Sequence, residues 1–127
     1  MRLLLDTHAF VWSLAQPEKL SLRARSVVAD ASEVYVSLTS AWELSILNGL
    51  GRVHLGAPIE TLFTEGLAAL RFRLLPIHLK HVAAVAALPP YHRDPFDRLL
   101  IATAAAERLS LVSCDGEFER YGVPVVW

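Results

Sequence analysis

Apolar residues gather into five short runs, at residues 2–5, 33–37, 72–77, 110–114 and 123–126, each bounded by turn formers and rich in Val, Ile, Leu and Tyr. Short runs of this kind predict strands buried on both faces. Between them the apolar spacing becomes helical. Leu20, Ala24, Val27, Val28 and Ala31 share one face, Ile59, Leu62, Phe63, Leu67 and Leu70 a second, and Leu79, Val82, Ala83 and Ala86 a third. Residues 40–50 and 95–108 predict two more helices, with Ser40 and Asp94 as N-caps, Pro58 and Pro95 as first-turn prolines, and Gly49 and Gly51 as a stop. Strands alternating with helical crossovers imply a parallel sheet covered on both faces. The expected fold is therefore α/β, a three-layer α/β/α sandwich with a parallel five-stranded sheet. No repeat, low-complexity segment or linker interrupts residues 1–127, which read as one domain, with the Pro/Gly-rich pieces 51–58 and 88–95 as its loops.

Composition narrows the function classes. A chain that is 54% hydrophobic has the material for one compact core, which excludes a disordered tail protein. Twelve basic side chains against thirteen acidic ones create no global positive field, so a nucleic-acid substrate must be gripped locally. No apolar stretch reaches the roughly 18 residues of a spanning helix, and Asp6 cuts off the apolar opening before it can act as a secretory core. The expectation is a cytoplasmic protein with no membrane partner. The single Cys114 fits a reducing compartment and lacks the paired spacing of a zinc site.

Ligand sites in open parallel sheets lie beyond the carboxyl ends of the strands. Asp6 and Asp115 each follow an apolar run directly, while Glu43 and Asp97 fall in the first turns of helices that come after strands. Each acid has an ordinary reading: Asp6 and Asp115 as N-caps, Asp97 as a dipole-compatible first-turn acid, Glu43 as the margin of an apolar face. Taken together they point to one sheet edge. Four clustered carboxylates need neutralisation, and hard oxygen ligands suit Mg²⁺ or Mn²⁺. No Gly-rich phosphate loop follows a strand, and no His pair has metalloprotease spacing.

The segments Leu3-Leu4-Leu5-Asp6-Thr7-His8, Ser40-Ala41-Trp42-Glu43, His92-Arg93-Asp94-Pro95-Phe96-Asp97-Arg98 and Ser113-Cys114-Asp115-Gly116-Glu117-Phe118 resemble the PIN-domain ribonucleases, and within them the VapC-type toxins of type II toxin-antitoxin systems. The resemblance spans essentially the whole chain. It implies a divalent-cation-dependent endoribonuclease whose catalytic and metal-binding acids are Asp6, Glu43, Asp97 and Asp115, and whose products carry a 5′-phosphate and a 3′-hydroxyl. Two departures from the family pattern stand out: Ser113 occupies a position where threonine is common, and Asp94 adds a carboxylate. Thr7 is a candidate for orienting Asp6 or a water, and Arg93, beside Arg98, for holding the RNA backbone. The resemblance also implies a cognate antitoxin, and the apolar surfaces of 59–70 and 78–88 suggest a homodimer. The alternative is a catalytically degenerate PIN-like module that binds RNA or protein. A phosphoacceptor domain would want a lysine after the last strands, and a haloacid dehalogenase-type phosphatase an acid where His8 stands.

Overall fold

Arg2–Leu5 forms the central strand, β1, and pairs in parallel with β2 (Glu33–Ser37) on one side and β4 (Ser110–Val112) on the other. In the computed structural model, which describes residues 1–127, β3 (Arg73–Leu75) and β5 (Val125–Val126) complete a wholly parallel sheet in the order β3-β2-β1-β4-β5. Alternation along β1 divides the core between two faces. Leu3 and Leu5 pack with Phe10, Ala24, Leu44, Phe63 and Leu67, whereas Leu4 packs with Leu100, Ile101, Ala104, Leu111 and Phe118. The first group belongs to α1 (Thr7–Ala15), α2 (Leu22–Asp30), α3 (Leu38–Gly49) and the 59–70 region; the second comes chiefly from α7 (Pro95–Glu107). The sandwich is the one the periodicity predicts. Burying each such leucine is worth about 1.5–3 kcal/mol, which makes β1 a rigid base for the residue that follows it.

Several local expectations are corrected. The strands are shorter than the apolar runs at 72–77, 110–114 and 123–126. Helix α3 is capped by Ser37, whose hydroxyl accepts the Thr39 N–H at 3.0 Å; Ser40 lies inside the helix and is fully buried. Pro58 precedes the first turn of α4 (Ile59–Thr61) and does not sit within it. The 59–70 helix runs from α4 to α5 (Leu67–Leu70) through a wide π-helical segment, Leu62–Gly66. Gly66 allows a close approach there, since a Cβ would stand 3.3 Å from Leu14 Cδ2.

Helix α6 (Leu79–Val85) is turned the opposite way from its predicted apolar face. Leu79 and Val82 are 83% and 51% exposed, while His81 is completely buried. The polar contacts of His81 account for the orientation. Its Nδ1 accepts the His78 N–H at 3.1 Å and its Nε2 lies 2.7 Å from Glu107 Oε1 on α7, partners that an inward Leu79 would leave unpaired. No helix is long and apolar enough to cross a membrane.

The sheet order reverses between β1 and β4: the chain leaves β1 toward β2 and β3, then returns to the other side through α6 and α7. A crevice beyond the strand ends at such a switch point is where open α/β sheets bind ligands.

Candidate active site

Asp6 and Asp115 follow the two neighbouring strands at this switch point. Asp6 caps α1, its Oδ1 accepting the Ala9 N–H at 2.8 Å, and it is nearly buried. Asp115 caps the 3₁₀ turn Gly116–Tyr121, its Oδ1 accepting the Glu117 N–H at 2.9 Å. The buried Ser113 serves both, because its oxygen accepts the Asp115 N–H at 3.0 Å and its hydroxyl helps hold the Asp6 carboxyl down against the effect of burial. A hydroxyl with no larger side chain is sufficient for both roles, so serine in place of threonine preserves them.

Glu43 enters from α3 on one layer and Asp97 from α7 on the other. Thr7 Oγ1 donates to Glu43 Oε1 at 2.6 Å and lies 2.9 Å from the buried Ser40 Oγ. Of the acids, it is therefore Glu43 that the Thr7 hydroxyl contacts, where the sequence offered Asp6 or a water. Above them Trp42 and Phe96, the residues preceding Glu43 and Asp97, meet edge to face at 4.8 Å and join α3 to α7. Asp94 is the α7 N-cap predicted for it, accepting the Phe96 and Asp97 N–H groups at 2.8 and 3.3 Å.

All four predicted acids, together with Asp94, Thr7, His8, Cys114 and Phe118, line one cavity of about 280 Å³. No lysine or arginine lines it. The electrostatic consequence is visible in three of the acids. Burial pushes the carboxyls of Asp6 and Glu43 above their ordinary range, opposed by hydrogen bonds from Ser113 and Thr7 respectively. Asp97 is pushed up to about 7, first by burial and then by the negative charge of Asp94. Hard carboxylate oxygens in a pocket without a protein cation are a donor set that suits Mg²⁺ or Mn²⁺.

The arginines divide differently. Arg93 is exposed, outside the cavity lining. Arg98 is structural: its guanidinium donates to the carbonyls of Pro89, Val85 and Leu88 at 2.9–3.4 Å and so holds the loop before α7. On that loop is His92, whose Nε2 lies 3.0 Å from Asp115 and 3.2 Å from Asp97. Sequence reasoning leaves His92 without a role. Its only signal there is proximity to Asp94 and Asp97. A larger concavity, about 530 Å³, lies among Arg25, Arg71, Arg73 and Glu33 at the opposite ends of the strands, away from these acids.

Residues 3–124 match the PIN domain family. The chain belongs to that family. It is 32% identical over 128 residues to Ribonuclease VapC22 of Mycobacterium tuberculosis, an alignment covering 98% of this chain and 97% of the relative. Among solved structures, DNA-bound VapBC from Salmonella typhimurium is similar with a TM-score of 0.72 at 17% identity, covering 99% of this chain and 97% of that one. A toxin-antitoxin complex from Klebsiella pneumoniae is similar with a TM-score of 0.64 at 21% identity, covering 98% and 95%. These two likenesses carry the PIN fold; the family match and the VapC22 identity carry the kinship to a VapC ribonuclease.

Proposed function

We propose that this PIN-domain protein is a Mg²⁺- or Mn²⁺-dependent endoribonuclease acting as the toxin of a toxin-antitoxin pair. The observation that carries the reading is the convergence of Asp6, Glu43, Asp97 and Asp115 on one cavity that holds no lysine or arginine. These four residues are the assigned ligands. A divalent cation held there supplies Lewis-acid activation of water and neutralises charge developing on the phosphodiester. The protein's own part is orientation. Thr7 fixes Glu43, Ser113 serves both Asp6 and Asp115, and the N-cap bonds of Asp94 turn its carboxylate toward its own helix end, leaving Asp97 for the cation. Arg93, exposed and adjacent in the chain to Asp94, is available to an RNA phosphate.

The partner assignments rest on kinship and surface. A toxin-antitoxin complex among the structural neighbours supports a cognate antitoxin, and the apolar outward face of α6 supports a homodimer. Light scattering on wild type and Leu79→Asp checks the second: the dimer should dissociate in the variant. A cytoplasmic location accords with RNA as the substrate. The deciding experiment is RNA cleavage by purified protein with Mg²⁺ or Mn²⁺, with chelator, and by Asp6→Asn. Cleavage should require the cation and Asp6. Undiminished cleavage in chelator contradicts the cation mechanism, and RNA binding without cleavage in any cation favours the degenerate binding module.

A further inference from the structure

His92 stands between two carboxylates that arrive from different parts of the fold, Asp97 on α7 and Asp115 after β4. One ligand-capable atom from each of the three lies within 4.8 Å of the others. Such spacing first reads as a metal site that includes a nitrogen. The second ring nitrogen argues otherwise. His92 Nδ1 accepts the Asp94 backbone N–H at 3.1 Å, and a ring nitrogen that accepts a hydrogen bond carries no proton. The tautomer follows from these partners: the proton is on Nε2, which then has no lone pair to give a cation. Moving the proton to Nδ1 would set two N–H groups against each other at Asp94. The surroundings hold the ring in this pose. The His92 N–H donates to the Tyr121 hydroxyl at 2.7 Å, the ring lies 5.9 Å from that of Phe118, and Arg98 anchors the loop.

We infer that His92 is a positioning residue that stands in for the cation between these two acids, its Nε2–H donated to Asp115 with Asp97 3.2 Å away, until a divalent ion displaces it. The inference rests on the proposed reading of the acids as a cation site. Without this donor, the two carboxylates would face each other across a partly dehydrated gap. With it, they are kept at a separation that one small donor, or one small cation, can span. The imidazole therefore stabilises the cation-free site and competes with the ion that replaces it.

Calorimetric titration of Mn²⁺ into wild type and His92→Ala tests this, alongside melts of both proteins with and without the ion. The variant should bind Mn²⁺ about tenfold tighter. Its cation-free form should melt lower than wild type, so the rise produced by Mn²⁺ should be larger. Weaker binding, as loss of a ligand would give, or unchanged affinity overturns the inference. Long-range ¹H–¹⁵N spectra of the wild-type imidazole remain decisive even if the variant folds poorly. They should show the Nε2–H form without Mg²⁺, and the Nδ1–H form in either state overturns the inference. Absence of cation binding by wild type and variant alike would overturn the cation reading itself, and this inference with it.

Discussion

The two ends of α7 carry the same kinds of side chain and put them to opposite use. At its C-terminal end Glu107 meets Lys80 at 2.8 Å and the buried His81 at 2.7 Å, and these donors pull its carboxyl down to about 2. At the N-terminal end Asp97 meets His92 at 3.2 Å but also feels burial and Asp94, and it rises to about 7. The helix dipole would favour the reverse, since it stabilises anions at the N-terminus and opposes them at the C-terminus. Its usual worth of about 0.3–1 kcal/mol is outweighed at both ends by pairing and desolvation. Glu107 is satisfied by the protein alone and fastens α6 to α7. Asp97 has no lysine or arginine to offset its charge and holds its proton up to about pH 7, so the ionised form is one that an added cation would stabilise.

The largest test of that contrast is a pair of isosteric substitutions. Asp97→Asn should lower RNA cleavage by more than about a hundredfold, beyond the effect usual for groups that merely support a ligand, while leaving cation-free stability equal or higher. Glu107→Gln should cleave normally per folded molecule. Next in size is His81→Ala, expected to cost ~2–4 kcal/mol in denaturant melts by opening a cavity and orphaning the His78 N–H, again without a defect in cleavage per folded molecule.

Acid dependence separates the two ends more finely. A carboxyl raised from 3.8 to about 7 prefers its proton in the folded state, so through Asp97 the cation-free protein loses stability as pH rises from about 4 through 7. A carboxyl lowered from 4.5 to about 2 has the opposite sign: the Glu107 contribution is full above 4.5 and is lost as pH falls through 2. Stability curves against pH should lose the first slope in Asp97→Asn and the second in Glu107→Gln. The smallest effect concerns the cap. Asp94→Ala should cost roughly 0.5–2 kcal/mol and Asp94→Asn little, both read by thermal melts.

The amino-acid sequence alone points to much of this site, for a particular reason. Asp6 and Asp115 follow buried strands whose parallel order makes their ends coincide, so strand position alone brings the two acids to one edge. Glu43 and Asp97 needed more, because only the crossing of α3 and α7 over that edge, marked by the Trp42–Phe96 contact, makes them meet. The resemblance supplied that step. Periodicity misled at α6, where Leu79, Val82, Ala83 and Ala86 form an apolar face but the buried position went to His81, whose partner is 26 residues away on α7. No local pattern announces a long-range polar pair. His92 escaped for the same reason, since its role depends on Asp115, 23 residues later in the chain. Helix α1 lacked a strong apolar stripe, and its N-cap Asp6 was its one clear sign.

The carboxylates at the switch point, and not acids elsewhere, are the proposed seat of the divalent cation. The most direct measurement is the rise in melting temperature with saturating Mn²⁺ at neutral pH in wild type, Asp97→Asn and Glu107→Gln, since an ion bound only by the folded state stabilises by mass action. Wild type and Glu107→Gln should rise equally, and Asp97→Asn should lose most of the rise. An undiminished rise in Asp97→Asn, or no rise in wild type, would show that these carboxylates do not hold the cation.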